Sequence, residues 1–213
     1  MKIFRAISIM ILPVILGLVC GCNKSLNLDD FVTEARTDIF YGENADIKLS
    51  CAYGYELNGE KEYFLTFKLG VDPTTEATYS IELTLDKTYT EKFTFNPVSH
   101  TLTAKVKTKL IENKFTATVI CGSSKTEIDL VSIVPEKTLS IPDALSKLSS
   151  TQPSLIDSYL NEYGDFDAKI CIRISVKNDK PYYYIAFTRP SNEVKAFLLD
   201  GFTAEVLAVR DIF

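Results

Sequence analysis

Nucleophilic and acid–base catalysis need a base held against its partner, and this chain offers a single histidine, His100. It sits in Pro97-Val98-Ser99-His100, which reads as an exposed hairpin loop far in sequence from Cys121 and Cys171. Zinc ligation takes three or four Cys, His or carboxylate ligands, and no C-x-x-C or H-E-x-x-H occurs. Phosphate-cradling glycine loops are absent as well. Asp165-Phe166-Asp167 lacks the spaced oxygen ligands and the glycine of an EF-hand and reads as a solvated turn. The 28 acidic residues could supply a carboxylate pair for an acid/base hydrolase, but no spacing selects one. We therefore expect no catalytic residue, no metal and no cofactor. Binding is the expected chemistry.

The remaining reactive groups are the thiols of Cys20, Cys22, Cys51, Cys121 and Cys171. Cys22 closes a leader in which Lys2 and Arg5 are followed by an uncharged stretch, the form of an export signal with a small-residue exit. As a helix the stretch from Ala6 to Cys22 would span about 25 Å, short of the ~30 Å hydrocarbon core. A spanning anchor and a plain secretory leader remain the alternatives. Val19-Cys20-Gly21-Cys22 resembles the lipobox of bacterial lipoproteins: an aliphatic residue at −3, two small residues, then the acceptor cysteine. The resemblance implies a signal peptide over residues 1–22, cleavage before Cys22, and lipidation of its thiol. Two or more acyl chains give a stable anchor at ~0.8 kcal/mol per buried methylene. The expected location is the extracytoplasmic face of the cell membrane. The tether, residues 23–30, reaches at most about 28 Å, which keeps the folded part near the bilayer.

Charge excludes one class of partner. The formal net charge is −5 and becomes more negative once Lys2 and Arg5 leave with the leader. No Lys/Arg run offsets it, so nucleic acid is not expected as a partner. Anionic head groups would also repel the chain, so a lipid and not charge has to hold it to the membrane.

Residues 31–135 carry a period-two pattern rich in Thr, Val, Ile, Phe and Tyr, with turn residues every ten or so positions. Strands are expected over 45–53, 62–69, 77–85, 90–95, 101–108, 114–120 and 127–134, with 32–40 as one more. Asn58-Gly59, Asp86-Lys87 and Glu112-Asn113 mark turns between them. The pattern predicts an all-β domain, a sandwich resembling the immunoglobulin fold in outline, although the chain has no Trp to pack on an inter-sheet disulfide. Parity turns Cys51 and Cys121 inward. A disulfide between them, adding about 4 kcal/mol in the chain-entropy model, is one option. Two buried free thiols are the other.

Residues 138–213 read as an α+β unit. Ser140-Ile141-Pro142-Asp143 is a helix start with Ser140 as cap. Thr151 is placed to cap a second helix, with Ile156, Tyr159, Leu160 and Tyr163 on one face and Gly164 as its end. A meander over 168–176, 182–188, 194–199 and 205–209 follows. Ser140-Ile141-Pro142-Asp143-Ala144, Tyr183-Tyr184-Ile185-Ala186-Phe187 and the turn from Leu199 to Leu207 resemble a PepSY domain, with Ala204 where that family has Gly. The resemblance implies an inhibitory or protein-binding role. Cys171, Arg173 and Ser175 fall on the sheet face opposite Ile170, Ile172 and Ile174. Arg173, Tyr182 and Tyr184 form a candidate interface, since aromatics and Arg favour such surfaces; packing of this face on the first domain is the alternative. The expected function is a lipid-anchored module that binds or regulates an envelope protein. A ligand-binding lipoprotein that captures a small molecule or glycan between its domains is the second expectation.

Overall fold

The computed structural model describes residues 26–44, 47–71 and 77–212. Alternating apolar residues build thirteen strands: β1 (Val32–Asn44), β2 (Ile47–Asn58), β3 (Glu60–Gly70), β4 (Tyr79–Thr84), β5 (Thr88–Lys92), β6 (Thr94–Asn96), β7 (Thr101–Lys107), β8 (Lys114–Cys121), β9 (Ser124–Ser132), β10 (Lys169–Lys177), β11 (Lys180–Thr188), β12 (Val194–Asp200) and β13 (Val206–Ile212). A 3₁₀ turn (Leu28–Phe31) precedes β1, and two helices, α1 (Ile141–Thr151) and α2 (Pro153–Asp157), lie between β9 and β10. The fold is mostly β, as the period-two pattern implies, and no described helix is long and apolar enough to cross a membrane.

One path of strands runs β13-β12-β11-β10-β1-β2-β3-β7-β6. Its ladders are antiparallel except where β1 and β10 pair in parallel, Val32 beside Ile170 and Arg36 beside Arg173. The strands β5-β4-β8-β9 form a second layer. β9 pairs with β1 at Phe40 and Tyr41, joining the layers, and the chain passes from the second layer back to the first at Phe93. There the expected strand 90–95 divides, β5 pairing with β4 and β6 with β7. Phe93 is buried, and its side chain joins the core between the layers. The strands thus nearly close a barrel, whereas the two sheets of an immunoglobulin-like sandwich stay separate.

The first three strands are long, β1 spanning about 40 Å at ~3.3 Å per residue, and they face two cores. Phe40, Leu49, Cys51, Leu65 and Phe67 pack against Ile81, Leu83, Val119 and Leu130 of the second layer. The other ends of the same strands, at Val32, Ala35 and Tyr55, pack with α1 and the meander β10–β13 through Leu145, Leu148, Ile172, Ile185 and Phe197. The boundary expected between residues 31–135 and 138–213 is therefore crossed by one sheet: residues 28–35 and Tyr55 contribute to the core of the later segment. Two glycines permit the crossings. A Cβ on Gly54 would lie 1.9 Å from the Ala35 carbonyl oxygen, beside the bulge of β1 between Arg36 and Asp38, and one on Gly42 would lie 2.2 Å from the Asp129 carbonyl oxygen.

The helical expectation holds for α1 and fails for the segment after it. Ser140 Oγ accepts from Asp143 N as the N-cap of α1, with Pro142 in the first turn. Thr151 is no cap: its hydroxyl donates back to the Lys147 and Leu148 carbonyls, and Gln152 stands at the head of α2 without a side-chain bond. α2 ends at Asp157 because the Asn161 side chain accepts from the amides of Tyr163 and Asp165, folding the chain into a turn. Leu160 bridges to Phe166 instead of continuing the helix. Tyr159 is buried, but Tyr163 is 81% exposed.

Candidate functional site

The expected interface residues do share one face. Cross-strand pairing puts Arg173 opposite Tyr184 and Ser175 opposite Tyr182, on the side of the sheet away from Ile172 and Ile174. Within the described residues this face is uncovered, with the Arg173 side chain 57% exposed and Tyr184 36% exposed. The sheet runs on past β1 into the barrel strands, so the face is extended by those strands, not covered by them.

Ion pairs cross that junction. Glu34 on β1 accepts from Arg173 at 3.4 Å and forms an ion pair with Arg36 at 3.2 Å; Arg36 lies 4.0 Å from Glu56 of β2, which pairs with Lys105 of β7 at 2.9 Å. Beneath them Phe64 points outward from β3 and is still buried, because Arg36 and Lys105 stack on its ring at 4.1 and 4.0 Å. Burial lowers the Arg36 pKa, with Glu34 working against it. The network gives the surface a fixed alternation of charge beside the aromatic area of Tyr182 and Tyr184. Sequence reasoning missed Glu34, Arg36, Glu56, Phe64 and Lys105. Their period-two spacing marks a face, but nothing local says that β1 lies beside β10.

A second feature lies where the two cores meet. A cleft of about 720 Å³ is bounded by Asp38 of β1, Tyr55 of β2, Lys61 of β3, Tyr183 of β11 and the connection from Ser132 to Pro142. Tyr183 donates its hydroxyl to the Leu139 carbonyl at 2.6 Å, fixing that connection, and burial pushes its phenol up to about 12. Asp38 Oδ1 accepts from Ile39 N at 2.7 Å and from Ser132 Oγ at 2.6 Å. Burial raises the Asp38 pKa, and these two bonds oppose the rise. Its Oδ2 has no hydrogen-bond partner, and the carboxylate no ion pair, among the described residues. The Lys61 ammonium rests 4.6 Å from the Tyr55 ring centroid.

Cys22 and the rest of the leader lie outside the described residues. Cys51, Cys121 and Cys171 are free thiols, so no bridge joins the first two. Cys51 is buried mid-strand between Phe40 and Phe67, as its parity implies, whereas Cys121 is only partly buried, at the β8–β9 hairpin against Ser124. Burial drives the Cys51 pKa well up, which keeps that thiol protonated and inert. His100 occupies a turn at φ 48°, its ring 6.0 Å from that of Phe95. Among the described residues no group of three or more His, Cys, Asp or Glu is placed to hold a metal ion.

Among the described residues, fold and surface together define a mostly β protein with an open, charge-laced sheet face and a cleft beside the junction of its two cores. No protein-family model matches the chain, and no curated protein or solved structure does so either.

Proposed function

We propose that the chain is a lipid-anchored binding module on the extracytoplasmic face of a bacterial membrane, without catalysis of its own, that docks an envelope protein through the face of Arg173, Tyr182 and Tyr184. The open cross-strand pair of Arg173 and Tyr184 carries this reading. An exposed aromatic beside a partly desolvated Arg is the composition that interface centres favour. The anchor rests on the lipobox-like residues ending at Cys22. The PepSY-like character of residues 138–213 rests on sequence pattern; the Asp200 turn, in which Oδ1 accepts from Phe202 N and Thr203 N, agrees with it.

Deleting residues 138–213 is no clean test, because it would strip Val32, Ala35 and Tyr55 of cover. Point variants serve better. Arg173→Glu with Tyr184→Ala should abolish co-purification of the partner from crosslinked envelopes while the chain still unfolds cooperatively, at a melting temperature lowered by a few degrees through loss of the Glu34 pair. Cys22→Ser should shift the chain to the soluble or unprocessed fraction. An unchanged partner set in the double variant overturns the docking face; normal retention of processed Cys22→Ser protein overturns the anchor.

The cleft supports a second reading, capture of a small molecule between the two cores. Its size falls in the ~300–1,000 Å³ range of ligand sites, and its polar groups converge on aromatic walls.

A further inference from the structure

We infer that the cleft between the two cores takes a small organic cation, a protonated amine set between the Asp38 carboxylate and the Tyr55 ring. This deepens the small-molecule reading and rests on it.

Charge favours the assignment. Asp29, Asp38 and Glu136 line the cleft against one ammonium, that of Lys61. Asp38 is half-buried, its Oδ1 is held by Ile39 N and Ser132 Oγ, and its Oδ2 has no hydrogen-bond partner among the described residues. A carboxylate oriented in this way by the scaffold meets an ammonium without reorganisation. Tyr55 is itself 8% exposed and fixed in the core, so its ring forms a rigid wall.

The wall already shows its preference, since Lys61 Nζ rests over it at 4.6 Å. Lys61 is exposed on a flexible stem and can swing away, leaving the ring to an incoming cation. Lys61 is thus a competitor for the site, and the two substitutions move affinity in opposite directions. Removing Asp38's charge weakens binding. Removing Lys61's charge strengthens it. An anionic ligand would respond with both signs reversed, and a neutral one to neither.

The test uses the full chain purified in neutral detergent at pH 7, titrated by calorimetry with benzylammonium and with benzyl alcohol as its neutral counterpart. Benzylammonium should bind and the alcohol should not. Asp38→Asn, which keeps the Oδ1 acceptor, should weaken binding roughly tenfold to a hundredfold, and Lys61→Ala should tighten it several-fold. Should Asp38→Asn fail to fold, the Lys61→Ala arm still decides. Equal binding of the alcohol, with both variants unchanged, overturns the cationic class and leaves the cleft a ligand site. Binding of neither probe overturns both. The docking face is untouched by either result, because Arg173 and Tyr184 lie outside this cleft.

Discussion

Gly54 shows how much one position can demand. Any side chain there would drive a Cβ to 1.9 Å from the Ala35 carbonyl oxygen, a backbone atom that cannot yield without opening the β1–β2 ladder. Gly54→Ala should cost about 3 kcal/mol or more, read as a fall in the denaturation midpoint at unchanged slope; a loss within experimental error would mean that β1 does not approach β2 so closely. Asp38 makes a different demand, on pH. Burial raises its folded pKa above the unfolded value, so the native state holds the proton more tightly. The stability this provides is full below the unfolded pKa and is lost as pH rises through the folded one. Asp38→Asn should therefore flatten the change in melting temperature across the carboxylate range while conserving the bonds to Ile39 N and Ser132. An identical profile in both proteins would refute the assignment. The parity of strand 168–176 was enough to put Arg173 and Tyr184 on one face. Asp38, Tyr55 and Tyr183 stayed hidden because the first two sit on neighbouring strands early in the chain and the third far downstream, and no local pattern ties them to one cleft.

Ladders and helices were readable wherever a local rule governs them. Thr, Val, Ile and Phe at alternate positions marked the strands, and Ser140 with Pro142 marked α1. The misreadings arise where a nonlocal contact overrides the local one. Burial of Phe93 splits one apparent strand into β5 and β6. The Asn161 turn cuts the amphipathic pattern of 156–163 down to α2 and leaves Tyr163 in solvent. The outer-face ion network is likewise a property of assembled strands, and it is testable as such. Glu34→Gln removes the ion pair that Arg173 makes among the described residues and leaves Arg36 with the 4.0 Å contact to Glu56, its bond to Thr66 and its stacking on Phe64. The variant should lose about 1 kcal/mol in low salt, and the deficit should shrink in molar salt as screening weakens the native pairs. A deficit that ignores ionic strength would point to packing over Phe64 as the cause.

At the level of the molecule, a two-domain expectation meets a sheet that serves two cores. Composition shifts near Pro135, which the sequence displays openly; the parallel register of β1 with β10 has no signature in either strand. Because β1, β2 and β3 belong to both cores, damage to one should reach the other. Leu148→Ala removes a fully buried side chain under α1 and should cost about 2–5 kcal/mol. Amides of β8, in the other core, should lose hydrogen-exchange protection at the same denaturant concentration as those of β10. Early melting of β10–β12 with β8 unaffected would establish two independent units. The parallel ladder also sets a clock. Thr33 bonds Ile170 across 137 positions, so ribosomes deliver the opening strand long before its neighbour exists. Until then its outer rim, with Ala35 and Val32, stays sticky. A prematurely terminated chain would keep that rim for good, and degradation enzymes could tell broken copies from finished ones by that rim alone.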